Sequence, residues 1–172
     1  MKLLFISLRC DKNLVDSEEM LGMLAADGHE IVDDEDEAEV IIVNTCCFIG
    51  DAKEESVNTI LEMAEKKKAG TCKVLIVTGC MAQRYKKEIS EEIPEVDAIL
   101  GTTSYGDISK AVKEAQAGRH FEEYKSIDFL PDISGKRMLT TGGHFAYLKI
   151  AEGCDKHCTY CIIPRLRGGY RS

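Results

Sequence analysis

Strand-length apolar segments recur five times in this chain, and helical patterns stand between most of them. The predicted strands cover residues 3–8, 29–32, 40–43, 74–77 and 96–100. The third and fourth of these runs contain only apolar residues, which is typical of parallel strands buried on both faces. The alternation predicts an α/β fold built on a doubly wound, five-stranded parallel sheet. The common strand order 2-1-3-4-5 would make strands one, three and four neighbours.

The helical patterns have start signals of their own. Asn13 is a predicted N-cap of the first helix, and another helix is predicted from Met81 onward. We predict a first domain at residues 1–118, followed by a linker at residues 119–143, where periodicity fades and Gly, Pro, Ser and Thr accumulate. Residues 144–172 then form the truncated start of a second domain, which opens with a predicted strand at residues 145–150.

Three cysteines, here called the first trio, follow predicted strands where the chain leaves the sheet. Cys10, Cys46 and Cys80 come just after strands one, three and four. Because adjacent parallel strands end at one edge about 4.8 Å apart, we expect these thiols to converge on one site. Gly79 would allow close backbone approach, and a helix starting near Met81 would favour thiolate at Cys80. The alternative is that each cysteine is a small buried hydrophobic residue.

A second trio stands near the C-terminal end. Cys154, Cys158 and Cys161 form a C-x3-C-x2-C run in one loop. Three thiolates on a four-iron cluster would leave one iron without a protein ligand, which is an open position for chemistry. The alternative is a Cys3His zinc site that includes His157. It is less favoured because His157 lies directly beside Cys158 and no CxxC pair follows.

The remaining cysteines, Cys47 and Cys72, fit neither site. Cys47 should point away from Cys46 if strand geometry continues that far, and Cys72 precedes its strand. We assign neither a ligand role. The N-terminal residues do not resemble a secretory signal peptide, and no run approaches the roughly 18 apolar residues of a membrane helix. The interpretation is a cytoplasmic protein, without membrane association, whose reduced cysteines bind metal.

The charge distribution bears on partners. The formal net charge is -8, which disfavours direct nucleic-acid binding by this segment and fits a basic partner better. Locally the sign reverses around the second trio, where the basic side chains are Lys156, His157, Arg165, Arg167 and Arg171. A merely solvated surface is an equally weighted interpretation of this cluster.

The cysteine loop at residues 153–161, with Tyr160 before its last cysteine, resembles the radical S-adenosylmethionine (SAM) signature. In that superfamily the open iron binds SAM, an electron from the reduced cluster cleaves it, and a 5'-deoxyadenosyl radical removes hydrogen from the substrate. The resemblance implies that the second trio holds this cluster and that Tyr160 packs near the nucleoside.

Four further segments resemble the methylthiotransferases: Asn44-Thr45-Cys46, Gly79-Cys80, Ile162-Ile163-Pro164 and Arg167-Gly168. In that family an N-terminal domain holds an auxiliary four-iron cluster on three cysteines, and the rest of the enzyme begins with a partial TIM barrel. The resemblance implies two 4Fe-4S clusters and SAM as cofactors, with the first trio, Cys10, Cys46 and Cys80, on the auxiliary, sulfur-donating cluster. A second SAM supplies the methyl group. Asn13, Asp16 and Asn44 are candidates to line this site, with capping and turn formation as the alternative.

Residues 10–18 resemble the RimO branch, which methylthiolates an aspartate of ribosomal protein S-12. The implied partners are ribosomal protein S-12 or the ribosome, and a reducing electron-donor protein. Two alternatives stay open: the tRNA-modifying MiaB branch, and a noncatalytic iron-sulfur or zinc module. Arg9 replaces the glycine common in relatives and could crowd the auxiliary cluster. Because the partial barrel and a C-terminal domain are not included, we expect this fragment to be inactive by itself.

Overall fold

Six parallel strands form one sheet in the order β2-β1-β3-β4-β5-β6. The computed structural model describes residues 1–8, 10–131 and 137–172, so the prediction about Arg9 lies outside the described residues. The strands are β1 (Lys2–Ser7), β2 (Glu30–Ile31), β3 (Val40–Thr45), β4 (Val74–Gly79), β5 (Ala98–Leu100) and β6 (Phe121–Glu123). The helices are α1 (Asp11–Ala26), α2 (Gly50–Lys68), α3 (Cys80–Arg84), α4 (Lys86–Glu92), α5 (Ile108–Gln116) and α6 (Ile163–Arg167). The predicted doubly wound α/β fold is confirmed.

Side chains of the central strands alternate between two hydrophobic cores, one on each face of the sheet. Every residue of β3 and β4 is buried, which explains their unbroken apolar runs. Ile41 and Leu75 share one core with Ile60 and Met63 of α2. Neighbouring strand residues point to the opposite face and share the other core with side chains of α1 and α5.

The sixth strand corrects the predicted count of five. β6 pairs in parallel with β5, with Phe121 opposite Ala98. It lies within residues 119–143, which we predicted to be a linker. Its sequence, Phe-Glu-Glu, has no apolar run because the strand lies at the sheet edge, where Glu122 is exposed. The domain boundaries themselves stay predictions.

The prediction of a strand at residues 145–150 is wrong. A strand needs a neighbour that satisfies its backbone groups, and no strand pairs with this segment in the described part of the chain. Leu148 and Ile150 are accordingly 81% and 76% exposed. The segment is apolar in sequence, but within these residues it has no sheet to join.

The start of α1 also differs from the prediction. The helix begins at Asp11 with Cys10 as N-cap, so Asn13 lies inside the first turn and is not the cap. Asn13 is fully buried, and its side chain makes tertiary hydrogen bonds instead. None of the helices in the described ranges is both long and apolar enough to span a membrane.

Candidate metal centre

The first trio lines one cavity of about 400 Å³, here called the first cavity, at the carboxyl edge of the sheet. Cys10 precedes α1, Cys46 follows β3 and Cys80 begins α3. Cys46 and Cys80 are buried, whereas Cys10 is exposed. The three thiols share a cavity because β1, β3 and β4 are neighbours and all end at this edge. Their role as metal ligands stays a prediction.

Hydrogen bonds hold the strand ends beneath the first cavity. Ser56 Oγ accepts from the backbone N–H of Cys46 at 3.0 Å and donates to the Cys46 carbonyl at 2.7 Å. Asn13 Nδ2 donates to the Thr45 carbonyl at 2.9 Å, and Asn44 Nδ2 donates to the Asn13 carbonyl at 3.0 Å. Asn13 and Asn44 therefore support the strand ends, and Asn13 Oδ1 also accepts from the Cys80 thiol at 4.0 Å.

Gly79 makes the close approach that its position in the sequence predicts. Its φ is +93°, and a Cβ there would lie 2.3 Å from Asn44 Oδ1 and 2.5 Å from the Thr45 carbonyl oxygen. A side chain at this position would collide with the end of β3. Because glycine has no side chain, the end of β4 can approach β3 closely, and Cys80 and Cys46 line the same cavity.

The prediction that a helix start favours thiolate at Cys80 is wrong. Burial raises the pKa of the Cys80 thiol to about 12, against the opposing influence of the Arg167 guanidinium. α3 has only five residues, and desolvation by burial is the largest influence on this pKa. A coordinating metal, by contrast, deprotonates a thiol outright.

The second trio adjoins another cavity, of about 510 Å³, here called the second cavity. Cys158 and Cys161 line it, whereas Cys154 does not. The Cys154 Sγ accepts a hydrogen bond from the backbone N–H of Lys156 at 3.4 Å. Tyr160 lines the same cavity and is 86% exposed, so its ring is accessible at the opening.

One short helix, α6, contributes to the walls of both cavities. Pro164 and Arg165 line the second cavity, and Leu166 and Arg167 line the first. Phe48, in the loop after β3, lines both cavities. The first trio and two cysteines of the second, Cys158 and Cys161, therefore line cavities that share a wall.

Buried ion pairs hold the C-terminal segment against α1. Arg167 contacts Glu152 at 2.9 Å and Asp16 at 3.0 Å, and Lys149 also pairs with Asp16. Burial alone would raise the pKa of the Glu152 carboxyl, but the three cations around it lower this pKa to about 2. Thr102 Oγ1 adds a hydrogen bond of 2.6 Å to the carbonyl of Leu166 in α6.

The sequence alone does not reveal the roles of Lys149 and Glu152. It also groups Arg167 with basic residues for which a solvated surface is one interpretation. That interpretation fits Lys156, His157 and Arg165, which are exposed, and is wrong for Arg167, which is 2% exposed. The Lys149-x-x-Glu152 spacing before the cysteine loop was an available local signal, but nothing local indicates the distant partner Asp16.

Cys47 and Cys72 line neither cavity, and their lack of a ligand role stays a prediction. Both pack in the same hydrophobic core. The thiol of Cys72, which precedes β4, donates to the carbonyl of Val74, the first residue of that strand, at 3.1 Å. Burial raises the pKa of both thiols.

The donor set of the first cavity fits an iron-sulfur cluster. Within the described ranges, no three cysteine, histidine or acidic side chains already lie close enough together to hold a metal ion. However, three thiols face one cavity whose other walls include Phe48, Ile49, Ala52 and Leu166. Thiolate ligands suit iron-sulfur clusters, and the charged residues Asp11, Lys12 and Arg167 also line the cavity.

The family model described as "Uncharacterized protein family UPF0004" matches residues 2–101. This chain belongs to the UPF0004 family. Over 172 residues it is 63% identical to the ribosomal protein uS12 methylthiotransferase RimO of Lachnoclostridium phytofermentans, and 52% identical to the protein of the same name from Clostridioides difficile. All of the chain is covered in both comparisons, but it spans 39% of the length of each relative. The resemblance to the RimO branch is confirmed.

The UPF0004 match covers β1 to β5 and the whole first trio. The second trio and α6 lie beyond it, within the region shared with the two RimO relatives. The common wall between the cavities therefore joins the UPF0004 region to the segment that follows it.

Proposed function

We propose that this chain is part of a radical SAM methylthiotransferase that adds a methylthio group to an aspartate of ribosomal protein uS12. The observation that carries the proposal is that the first trio and two cysteines of the second, Cys158 and Cys161, line adjacent cavities that share the wall of α6. The names of the relatives, which are similar over the whole chain, support the uS12 assignment.

The residues divide into two ligand sets. Cys154, Cys158 and Cys161 would hold the cluster that cleaves SAM, and the first trio would hold the auxiliary, sulfur-donating cluster. When bound, the two 4Fe-4S clusters and SAM supply the radical, the sulfur and the methyl group. The protein would contribute by carrying the first trio, Cys158 and Cys161 on cavities that share the wall of α6. Tyr160, at the opening of the second cavity, is proposed to pack on the nucleoside of SAM.

The proposed setting follows from this reaction. The partners are ribosomal protein uS12 or the ribosome and a reducing electron-donor protein, and the location is the cytoplasm, where thiols stay reduced. The expectation that these 172 residues do not complete the reaction alone stays a prediction.

Anaerobic reconstitution with iron and sulfide tests the two ligand sets. We expect about eight irons per chain, and about four after all three cysteines of either trio are replaced by alanine. Cys72→Ala is the matched control, because that thiol is buried outside both cavities, and it should retain about eight irons.

Other metal contents would change the conclusion. About four irons in the unmodified chain would leave one trio without a cluster. Zinc without iron would favour the noncatalytic module over the enzyme. Loss of iron in Cys72→Ala equal to that of either triple variant would contradict the assignment of ligands.

A further inference from the structure

Arg167 is a fully buried cation whose hydrogen bonds all lie within the protein interior. Its NH1 donates to Glu152 Oε2 at 2.9 Å, and its NH2 donates to Asn13 Oδ1 at 2.7 Å and to Asp16 Oδ2 at 3.0 Å. Burying a guanidinium carries a large desolvation cost, which is offset only when its donors are paired in this way. The fork geometry of arginine allows one side chain to reach all three acceptors.

These acceptors come from the surroundings of both trios. Asn13 and Asp16 lie in the first turns of α1, the helix that starts directly after Cys10. Glu152 stands two residues before Cys154, and its backbone pairs with Arg171 on the far side of the second loop. Arg167 therefore bridges the helix that follows the first trio to the segment that opens the second.

The same guanidinium also faces the first cavity. Arg167 lines it together with Cys10, Cys46 and Cys80. Asn13 Oδ1, which accepts from Arg167 NH2, also accepts from the Cys80 thiol at 4.0 Å, so one oxygen links the guanidinium to this cysteine. A fixed positive charge beside three thiolate ligands would stabilise the additional negative charge that a cluster gains on reduction.

We propose that Arg167 is a positioning residue that joins the two trios: it holds the second cysteine loop to α1 and supplies the buried positive charge of the first cavity. This inference rests on the proposed function, since it assigns a role toward the cluster of the first trio. It predicts that the charge of Arg167 raises the reduction potential of that cluster.

The reduction potential is measured on the full chain with Cys154, Cys158 and Cys161 replaced by alanine, so that one cluster remains. After anaerobic reconstitution, Arg167→Met should shift the midpoint potential to a more negative value, because the charge is lost while the apolar stem is retained. Arg167→Lys keeps the positive charge, so its midpoint potential should stay close to that of the chain with Arg167. Arg119→Met is the control, because Arg119 is exposed and pairs with Glu114 on the surface.

Hydrogen exchange, on the chain with its native cysteines, tests whether Arg167 holds the second cysteine loop to α1. The backbone amides of residues 149–154 should exchange faster in Arg167→Met than in the unmodified chain, and Arg119→Met should leave them unchanged. A residue that only stabilised the fold would alter this exchange but would not move the potential.

Glu152→Gln provides an independent variant if Arg167→Met does not fold. Removing this negative charge, which contacts Arg167, should shift the potential in the opposite direction, to a less negative value. Unchanged potentials in these variants, with normal iron content, would overturn the role of Arg167 and leave the proposed function standing. A chain that takes up no iron in its unmodified form would overturn both.

Discussion

Cys10 has a backbone conformation that residues other than glycine rarely adopt. Its φ is 94° and its ψ is 143°, and among the described residues it is the single non-glycine position with positive φ. Such conformations cost about 1–3 kcal/mol and persist where the surrounding structure imposes them. Here the strained residue is the N-cap of α1 and lines the first cavity, so the strain lies at a predicted ligand.

Gly79→Ala tests the close approach of β4 to β3 at the scale of one residue. Gly28→Ala is the matched control, because Gly28 also has positive φ but a Cβ added there would meet no atom within 4 Å. We expect Gly28→Ala to lower the free energy of unfolding by about 1 kcal/mol, from conformational strain alone. Gly79→Ala should cost about 3 kcal/mol or more, because its Cβ also collides with Asn44 and Thr45. Equal losses in urea denaturation would contradict the steric argument.

At the scale of the element, α1 organises the carboxyl edge of the sheet. Asn13 binds the end of β3, and Asp16 pairs with Arg167 of α6. Glu18 of the same helix accepts hydrogen bonds from the backbone N–H and the hydroxyl of Thr140 at 2.7 and 2.9 Å. The helix thereby anchors three separate parts of the chain.

Glu18→Gln should release the segment around Thr140 in a pH-dependent way. Burial raises the pKa of Glu18, but hydrogen bonds from Thr140 and Arg137 lower it more, so its folded pKa lies below the ordinary value of 4.5. The carboxylate therefore stabilises the fold above pH 4.5, and this contribution is lost as the pH falls below that value. At pH 7 the substitution should cost about 1–3 kcal/mol.

Urea denaturation between pH 7 and pH 3 measures this effect. The difference between Glu18→Gln and the unmodified chain should shrink as the pH falls. Glu91→Gln is the control, because Glu91 is exposed and its ion pair with Lys87 is long, at 3.8 Å, so little change is expected. A cost for Glu18→Gln that does not vary with pH would rule out the carboxylate charge as its cause.

At the scale of the whole molecule, the charge is acidic overall but basic at the second cavity. The formal net charge is -8, whereas the charged side chains that line this cavity in the described part of the chain are Arg84, Lys156 and Arg165. Long-range repulsion from the acidic remainder opposes a polyanion, and a few cations at one opening offer limited compensation.

We therefore expect these 172 residues not to retain tRNA in filter binding at about 150 mM salt. Retention of tRNA that disappears in Arg165→Ala would show specific use of the basic opening. Such a result would favour the tRNA-modifying branch over the ribosomal-protein branch.

The local sequence determined the main architecture and the location of the candidate site. The apolar runs of β3 and β4 require burial on both faces, and cysteines placed after neighbouring parallel strands must lie at the same edge of the sheet. The predicted strand order is the common one of doubly wound sheets, and the observed order of β1 to β5 agrees with it, so the shared cavity of Cys10, Cys46 and Cys80 follows.

Only the tertiary structure decided which weak segments became strands and which charges became buried. β6 has no apolar run and forms because β5 offers it an unpaired edge, whereas the apolar segment at residues 145–150 pairs with no strand among the described residues. The pairing of Arg167 with Asp16 joins residues 151 positions apart. The periodicity of apolar residues indicates which side chains face the core and which face water. A strand partner or an opposite charge is supplied by residues distant in sequence, so it is defined only in the folded chain.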